Sequence, residues 1–272
     1  MSIPQIKPFL RWAGGKQWLA PKLAGIVPQE GFTYYEPFLG GGSLFFVISP
    51  QKAVLCDINE RLIETYQAIR DNPNEIISIL SIWKNNEETY YKIRATDFSD
   101  KTWSAAQLIY LNKTCWNGLY RVNREGKFNV PFGFNNRKVF DKEHILNASK
   151  VLKNAVLMSG DFEQILASAS TGDFIYLDPP YTVLHSQNSF RRYNEKLFSW
   201  ADQVRLAKMA NELAARGCLV VVSNAANPEV LELYPDFKHL RVSRHSILAA
   251  NPERRRKTQE ALLVSSEELT IY

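Results

Sequence analysis

The chain is short of the residues that bind metals and cross-link secreted proteins. Only three cysteines (Cys56, Cys115, Cys218) and four histidines (His144, His185, His239, His245) occur in 272 residues. The cysteines are odd in number, far apart and without CxxC spacing, which excludes a disulfide framework and a thiolate zinc site. The histidines show no ligand spacing, so no metal is expected. Long apolar runs are missing too. Nothing approaches the roughly 20 residues that cross a bilayer, and neither end shows a basic segment leading into an apolar one. A soluble, non-exported protein of a reducing cytoplasm, with no membrane partner, is therefore expected. Internal repeats and low-complexity tracts are absent as well.

What is present is 45% hydrophobic residues, enough for one large domain or one domain with an insertion, and a monomer is expected. The net charge of +5 favours a polyanionic partner, although many basic proteins bind no nucleic acid.

The order of patterns along the chain predicts a fold. Tyr34-Tyr35-Glu36-Pro37-Phe38 opens into Leu39-Gly40-Gly41-Gly42-Ser43, and the apolar run Ala53 to Cys56 ends in Asp57. This spacing predicts strand, glycine turn, helix, second strand and acidic tip. Asp173 to Leu177 predicts a buried strand stopped by Pro179 and Pro180. Leu206, Met209, Ala210, Leu213 and Ala214 recur at helical spacing from about Asp202 to Arg216, with Gly217 placed to end the helix. Cys218 to Val222 predicts another buried strand. The class is α/β, a Rossmann-like, mostly parallel sheet covered by helices on both faces. Residues 60–147 break this alternation and predict an inserted helical segment. Within it, Tyr120 to Val130 alternates around Glu125-Gly126 as a β-hairpin would. The expected division is 1–59 with 148–272 as one domain and 60–147 as the other, its hairpin near 116–135.

Three motifs carry chemistry. Gly40-x-Gly42 lets backbone approach a ligand and Asp57 can accept from ribose hydroxyls, while Phe45 stands where a dinucleotide fingerprint needs glycine. A mononucleoside cofactor such as S-adenosylmethionine fits better than a dinucleotide, and a plain tight turn is the bland alternative. Trp12-Ala13-Gly14-Gly15-Lys16 fails as a phosphate loop, because Leu10 and Gln17 occupy required positions. Its bland reading is a turn with a surface lysine. Asp178-Pro179-Pro180-Tyr181 is the most informative. Adenine N6 is a poor nucleophile because its lone pair is delocalised into the ring. Asp178 and the Pro179 carbonyl can accept hydrogen bonds from the amine and stabilise charge developing on it, and Tyr181 can stack on an extruded base. Alternatively, the tetrad is no more than a strand end.

Together these residues resemble the DNA adenine methyltransferase (Dam) family, N6-adenine-specific and of the alpha group. The resemblance runs through Phe9 to Lys16, Glu36-Pro37-Phe38, Asp57-Ile58-Asn59, Tyr110-Leu111-Asn112, Asn117-Gly118-Leu119, Phe128 to Gly133, Asp178 to Tyr181 and Ser223-Asn224. It implies a site-specific methyltransferase that moves a methyl group from S-adenosylmethionine to a flipped adenine in double-stranded DNA, leaving S-adenosylhomocysteine. No covalent intermediate is implied. Trp12, Ala13, Gly14, Lys16, Glu36, Phe38, Gly40, Asp57, Asp161, Phe162 and Asp178 would contact the cofactor, and Ile58 would pack on its adenine. Asp178, Pro179, Pro180 and Tyr181 would be catalytic. The family pattern further implies that Trp116 enters the base stack, Arg121 reads a guanine and Leu119 and Pro131 touch a thymine methyl, with Arg11, Asn117 and Asn135 also on DNA. An arginine fork matches guanine O6 and N7. The implied target is GATC, although Arg11 stands where many relatives have lysine and Asn135 where a tyrosine often contacts the first guanine. Arg191-Arg192 and Arg254 to Lys257 are either phosphate contacts or solvated faces. Two other classes remain: a catalytically inactive DNA-binding relative, and a methyltransferase acting on an RNA adenine or a protein amide.

Overall fold

The computed structural model describes residues 6–123, 125–134, 138–182, 198–245 and 257–266. Asn135, His185, Arg191-Arg192 and Arg254 to Arg256 lie outside them. Seven strands among the described residues form a mostly parallel sheet: β1 (Tyr34–Glu36), β2 (Ala53–Asp57), β3 (Ala155–Ser159), β4 (Phe174–Leu177), β5 (Leu219–Ala225), β6 (Lys238–His245) and β7 (Lys257–Val264). Their order is β3-β2-β1-β4-β5-β7-β6. The α/β class expected from the alternating patterns is the one adopted. The chain divides into two compact units, Met1–Val27 with Leu39–Gly160, and Pro28–Phe38 with Asp161–Tyr272.

In the first unit, β2 and β3 pair in parallel from Ala53↔Ala155 to Asp57↔Ser159. Helices Glu60–Asp71, Glu87–Ala95, Lys101–Thr114 and Lys142–Leu152 begin at Asn59, Asn86, Asp100 and Asp141. Each of these side chains accepts a backbone N–H of the first turn, which satisfies a donor the helix leaves unpaired. Lys101–Thr114 is buried along most of its length, so it serves as the spine against which other segments are fastened.

The segment expected to form a hairpin turns as predicted but, among its described residues, builds no continuous ladder. Asn123 N–H donates to the Lys127 carbonyl at 2.8 Å and Asn129 N–H to Arg121 at 3.1 Å, and the antiparallel bridges Val122↔Phe128 and Cys115↔Phe132 stand alone. The cause is Asn123, whose side-chain oxygen accepts from the Glu125 and Lys127 N–H groups, each at 3.0 Å. Such local side-chain bonding competes with strand pairing.

In the second unit, β1, β4 and β5 run parallel, β7 is antiparallel to β5, and β6 is antiparallel to β7. All four β4 residues are buried, which explains the unbroken apolar run Phe174 to Leu177 where alternation would mark a half-exposed strand. Helix Trp200–Ala215 starts in a capping box of Ser199 and Asp202. It ends at Gly217, where φ is +88°. The Gly217 and Cys218 N–H groups return to the Ala214 and Leu213 carbonyls at 2.9 and 3.0 Å, a Schellman closure that needs glycine at the left-handed position.

Candidate functional site

The glycine turn that follows β1 lies in the first unit and is shaped around a tryptophan. Gly40 and Gly42 have φ of +47° and +64°. A Cβ on Gly40 would come within 2.8 Å of Trp12 Cδ1, so glycine is required for space as well as for conformation. Trp12 also stacks on Tyr120, ring centroids 4.6 Å apart at 23°. Tyr66 hydroxyl donates to the Gly40 carbonyl at 3.0 Å from below the turn.

Asp57, at the tip of β2, accepts from Gly40 N–H and Asn59 N–H, each at 2.9 Å and each on a different carboxylate oxygen. Burial pushes its carboxyl above the usual range, and the two backbone donors oppose that rise. Each oxygen keeps acceptor capacity for a vicinal diol. Next to it, Ile58 is 72% exposed, an unusual place for a large aliphatic side chain. A cradle of glycines, an indole, a strand-tip carboxylate and a bare aliphatic surface fits a nucleoside such as S-adenosylmethionine. Lys16 is buried, with Nζ donating to the Gly14 carbonyl at 3.2 Å, which corrects the surface-lysine alternative. Ala13 and Gly14 are exposed.

The DNA-reading candidates are also in this unit. Asn112, wholly buried, accepts from Arg11 N–H at 2.8 Å and donates to the Arg11 carbonyl at 2.8 Å and the Gly118 carbonyl at 3.3 Å. It thereby joins the Arg11-Trp12 segment to the turn carrying Trp116 and Asn117. A Cβ on Gly118 would fall 2.4 Å from Arg11 Cδ. Trp116, Asn117, Arg121 and Pro131 are exposed and Leu119 partly so. Arg121 Nε donates to Asn129 Oδ1 at 2.8 Å and its Nη2 to the Asn129 carbonyl at 3.3 Å, which orients the guanidinium before any partner arrives. Neither Asn112 nor Asn129 was assigned a role from sequence, although both sit inside the motifs of the family resemblance.

The second unit holds the tetrad. The β4–β5 register runs Tyr176↔Val221 and Leu177↔Val222, so Asp178 leaves β4 at the level where β5 reaches Ser223. Buried Tyr34 and Tyr176 lie near Asp178 and Glu36, and buried Glu260 meets Tyr181. Tyr34 hydroxyl donates to Glu36 Oε2 at 2.8 Å. Burial first, and then the Glu36 charge, raise the Tyr34 hydroxyl far above the usual tyrosine range. Burial first, and then Asp178, do the same for Tyr176. Both phenols thus stay neutral beside acids, and Tyr34 is the one that donates to a carboxylate. Gln203 Nε2 donates to the Pro180 carbonyl at 3.2 Å, and Gln203 Oε1 accepts from Asn224 Nδ2 at 3.0 Å. Phe38, Phe162 and Phe198 pack together at centroid distances of 5.4 to 5.9 Å. Arg205 lies over the Phe162 ring and binds Asp161, Glu163 and Asp202 at 3.0, 2.9 and 2.8 Å. Gln203 and Arg205 went unnoticed in sequence because they read as ordinary polar positions of an amphipathic helix.

No group of three or more His, Cys, Asp or Glu able to hold a metal ion occurs among the described residues, and no helix there is long and apolar enough to cross a membrane.

Comparison with known proteins adds independent evidence. Residues 12–246 match the family model of the D12 class N6 adenine-specific DNA methyltransferases. The chain is similar to the Type II methyltransferase M1.LlaDCHI of Lactococcus lactis subsp. cremoris, 38% identical across 96% of this chain and 95% of that one. Type II methyltransferase M.MjaIII of Methanocaldococcus jannaschii is 36% identical over 96% and 99%. The DNA adenine methylase of Haemophilus influenzae is 30% identical over 96% and 95%. On these matches, over nearly the whole length and with the tetrad in place, the chain belongs to the D12 class of N6 adenine-specific DNA methyltransferases.

Proposed function

We propose that this enzyme takes its methyl group from S-adenosylmethionine, acts as a monomer on an adenine flipped out of duplex DNA, and recognises GATC. The observation that supports the reading best is Asp178 leaving β4 among neutral buried tyrosines and acids, with the following backbone fixed through Pro180 and Gln203. Asp178 and the Pro179 carbonyl accept hydrogen bonds from the adenine amine, drawing it towards tetrahedral geometry and stabilising the positive charge that develops on N6. Tyr181 stacks on the extruded ring. The sulfonium of S-adenosylmethionine supplies the electrophilic methyl group when bound. Asp57 and the Gly40 turn hold the nucleoside, Ile58 covers its base, and Trp12, Ala13, Gly14, Lys16, Glu36, Phe38, Asp161 and Phe162 complete the cofactor contacts.

Residues 60–147 serve as the target-recognition domain and 1–59 with 148–272 as the catalytic one. Arg121, already oriented by Asn129, reads guanine through its fork. Trp116 fills the stack, Leu119 and Pro131 meet a thymine methyl, and Arg11, Asn117 and Asn135 complete the DNA contacts. The test is Asp178→Ala assayed with labelled S-adenosylmethionine on duplexes with and without GATC. Turnover should fall about 10²-fold or more while cofactor and DNA binding persist. Undiminished turnover, or equal methylation of both duplexes by the wild type, would refute the catalytic and the sequence assignment respectively.

A further inference from the structure

One acid beside the tetrad has no part in the mechanism above. Glu260 is 3% exposed and stands at the start of the apolar run that continues to Val264, opposite Ala225 in the β5–β7 register. Because β7 runs antiparallel to β5, this carboxylate from the amino half of one strand arrives at the carboxyl end of the other. That end is where Tyr181 lies. Tyr181 hydroxyl donates to Glu260 Oε2 at 3.3 Å and lies 3.2 Å from the hydroxyl of wholly buried Ser223. A buried carboxylate in an apolar strand is costly unless it accepts hydrogen bonds. A tyrosine whose far end is tethered loses the freedom to swing about its two side-chain torsions.

We propose that Glu260 is a positioning residue: with Ser223 it fixes the tilt of the Tyr181 ring against the target base. This rests on the stacking role proposed for Tyr181. Glu260 and Ser223 belong neither to the proposed cofactor contacts nor to the hairpin, so the tether acts on turnover and on the state of the flipped base, and leaves cofactor affinity alone.

The experiment uses the full chain with Tyr181→Phe, Glu260→Leu, Glu260→Gln and the Tyr181→Phe/Glu260→Leu double variant. Turnover, KM for duplex, S-adenosylmethionine affinity and the fluorescence of 2-aminopurine placed at the target adenine are measured together. Tyr181→Phe and Glu260→Leu should each lower turnover about tenfold and change the 2-aminopurine signal equally. The double variant should be no more than about twofold slower than either single, because both remove one bond. Glu260→Gln should recover most of the rate, since its amide oxygen still accepts. Multiplying losses, a Gln variant as slow as Leu, or Tyr181→Phe at the wild-type rate would overturn the tether. Should Glu260→Leu fail to fold, Tyr181→Phe and Glu260→Gln still decide. Absence of N6-methyladenine with the wild type would instead fail the functional reading itself.

Discussion

Replacing Asn112 tests how the cofactor-loop and DNA-reading candidates are held. Its amide makes three hydrogen bonds, two part-buried ones to Arg11 and a buried one to Gly118, and its exposure is 0%. Asn112→Ala strands one N–H and two carbonyls. Each unsatisfied buried group costs roughly 1–3 kcal/mol, and water reaching the exposed side of Arg11 offsets part of that, so about 3 kcal/mol in all is expected. Asn112→Asp keeps the acceptor for Arg11 N–H but turns an oxygen towards two carbonyl oxygens, so it should be no better than alanine. In urea, at a slope of about 2–3 kcal/mol/M, the midpoint should drop by about 1 M. S-adenosylhomocysteine affinity and discrimination between DNA sequences should weaken together, since the same amide anchors the segments carrying Trp12 and Trp116. A midpoint within about 0.2 M of wild type, or an Asp variant as stable as Asn, would refute the three-bond reasoning.

Further outcomes are expected elsewhere. Gly40→Ala drives a methyl into Trp12 at positive φ, so S-adenosylmethionine affinity should fall about tenfold or more, measured by titration calorimetry; unchanged affinity would remove this turn from the cofactor site. Arg121→Ala should cost about 1–3 kcal/mol of discrimination at a single base pair in a binding-site selection, whereas equal loss on every sequence would make it a phosphate contact. Burial, and then Arg11, bring the Lys113 amine down to about 8. The folded state therefore disfavours its charge, and the penalty is full below about pH 8 and disappears as pH rises through the unfolded value near 10.4. Lys113→Met should accordingly stabilise by about 1–2 kcal/mol at pH 7, discounted for partial solvent access, and by almost nothing at pH 11. Equal gains at both pH values would mean that packing, not charge, is responsible.

Local pattern was enough for β1, β2, β4 and β5 and for the residues at their tips, whereas β3, parallel to β2, went unread. An apolar run ended by Asp57, a run ended by Asp178 and two prolines, and a helix closed by Gly217 are short-range signals, legible because conformational preference and burial act within a few residues. Sequence spacing likewise placed Gly40 and Gly42 in a turn that only glycine tolerates. The family resemblance pointed to Arg121, and the alternation predicted a reversal at Glu125-Gly126, although not that Asn123 would take the N–H groups a ladder needs. Only tertiary structure decided which distant polar groups complete each site. Asn112 bonds Arg11 across 101 residues of chain, and Glu260 reaches Tyr181 across 79. Such pairs leave no periodic trace, because buried polar atoms choose partners by where packing delivers them, and an antiparallel strand delivered Glu260 to the tetrad.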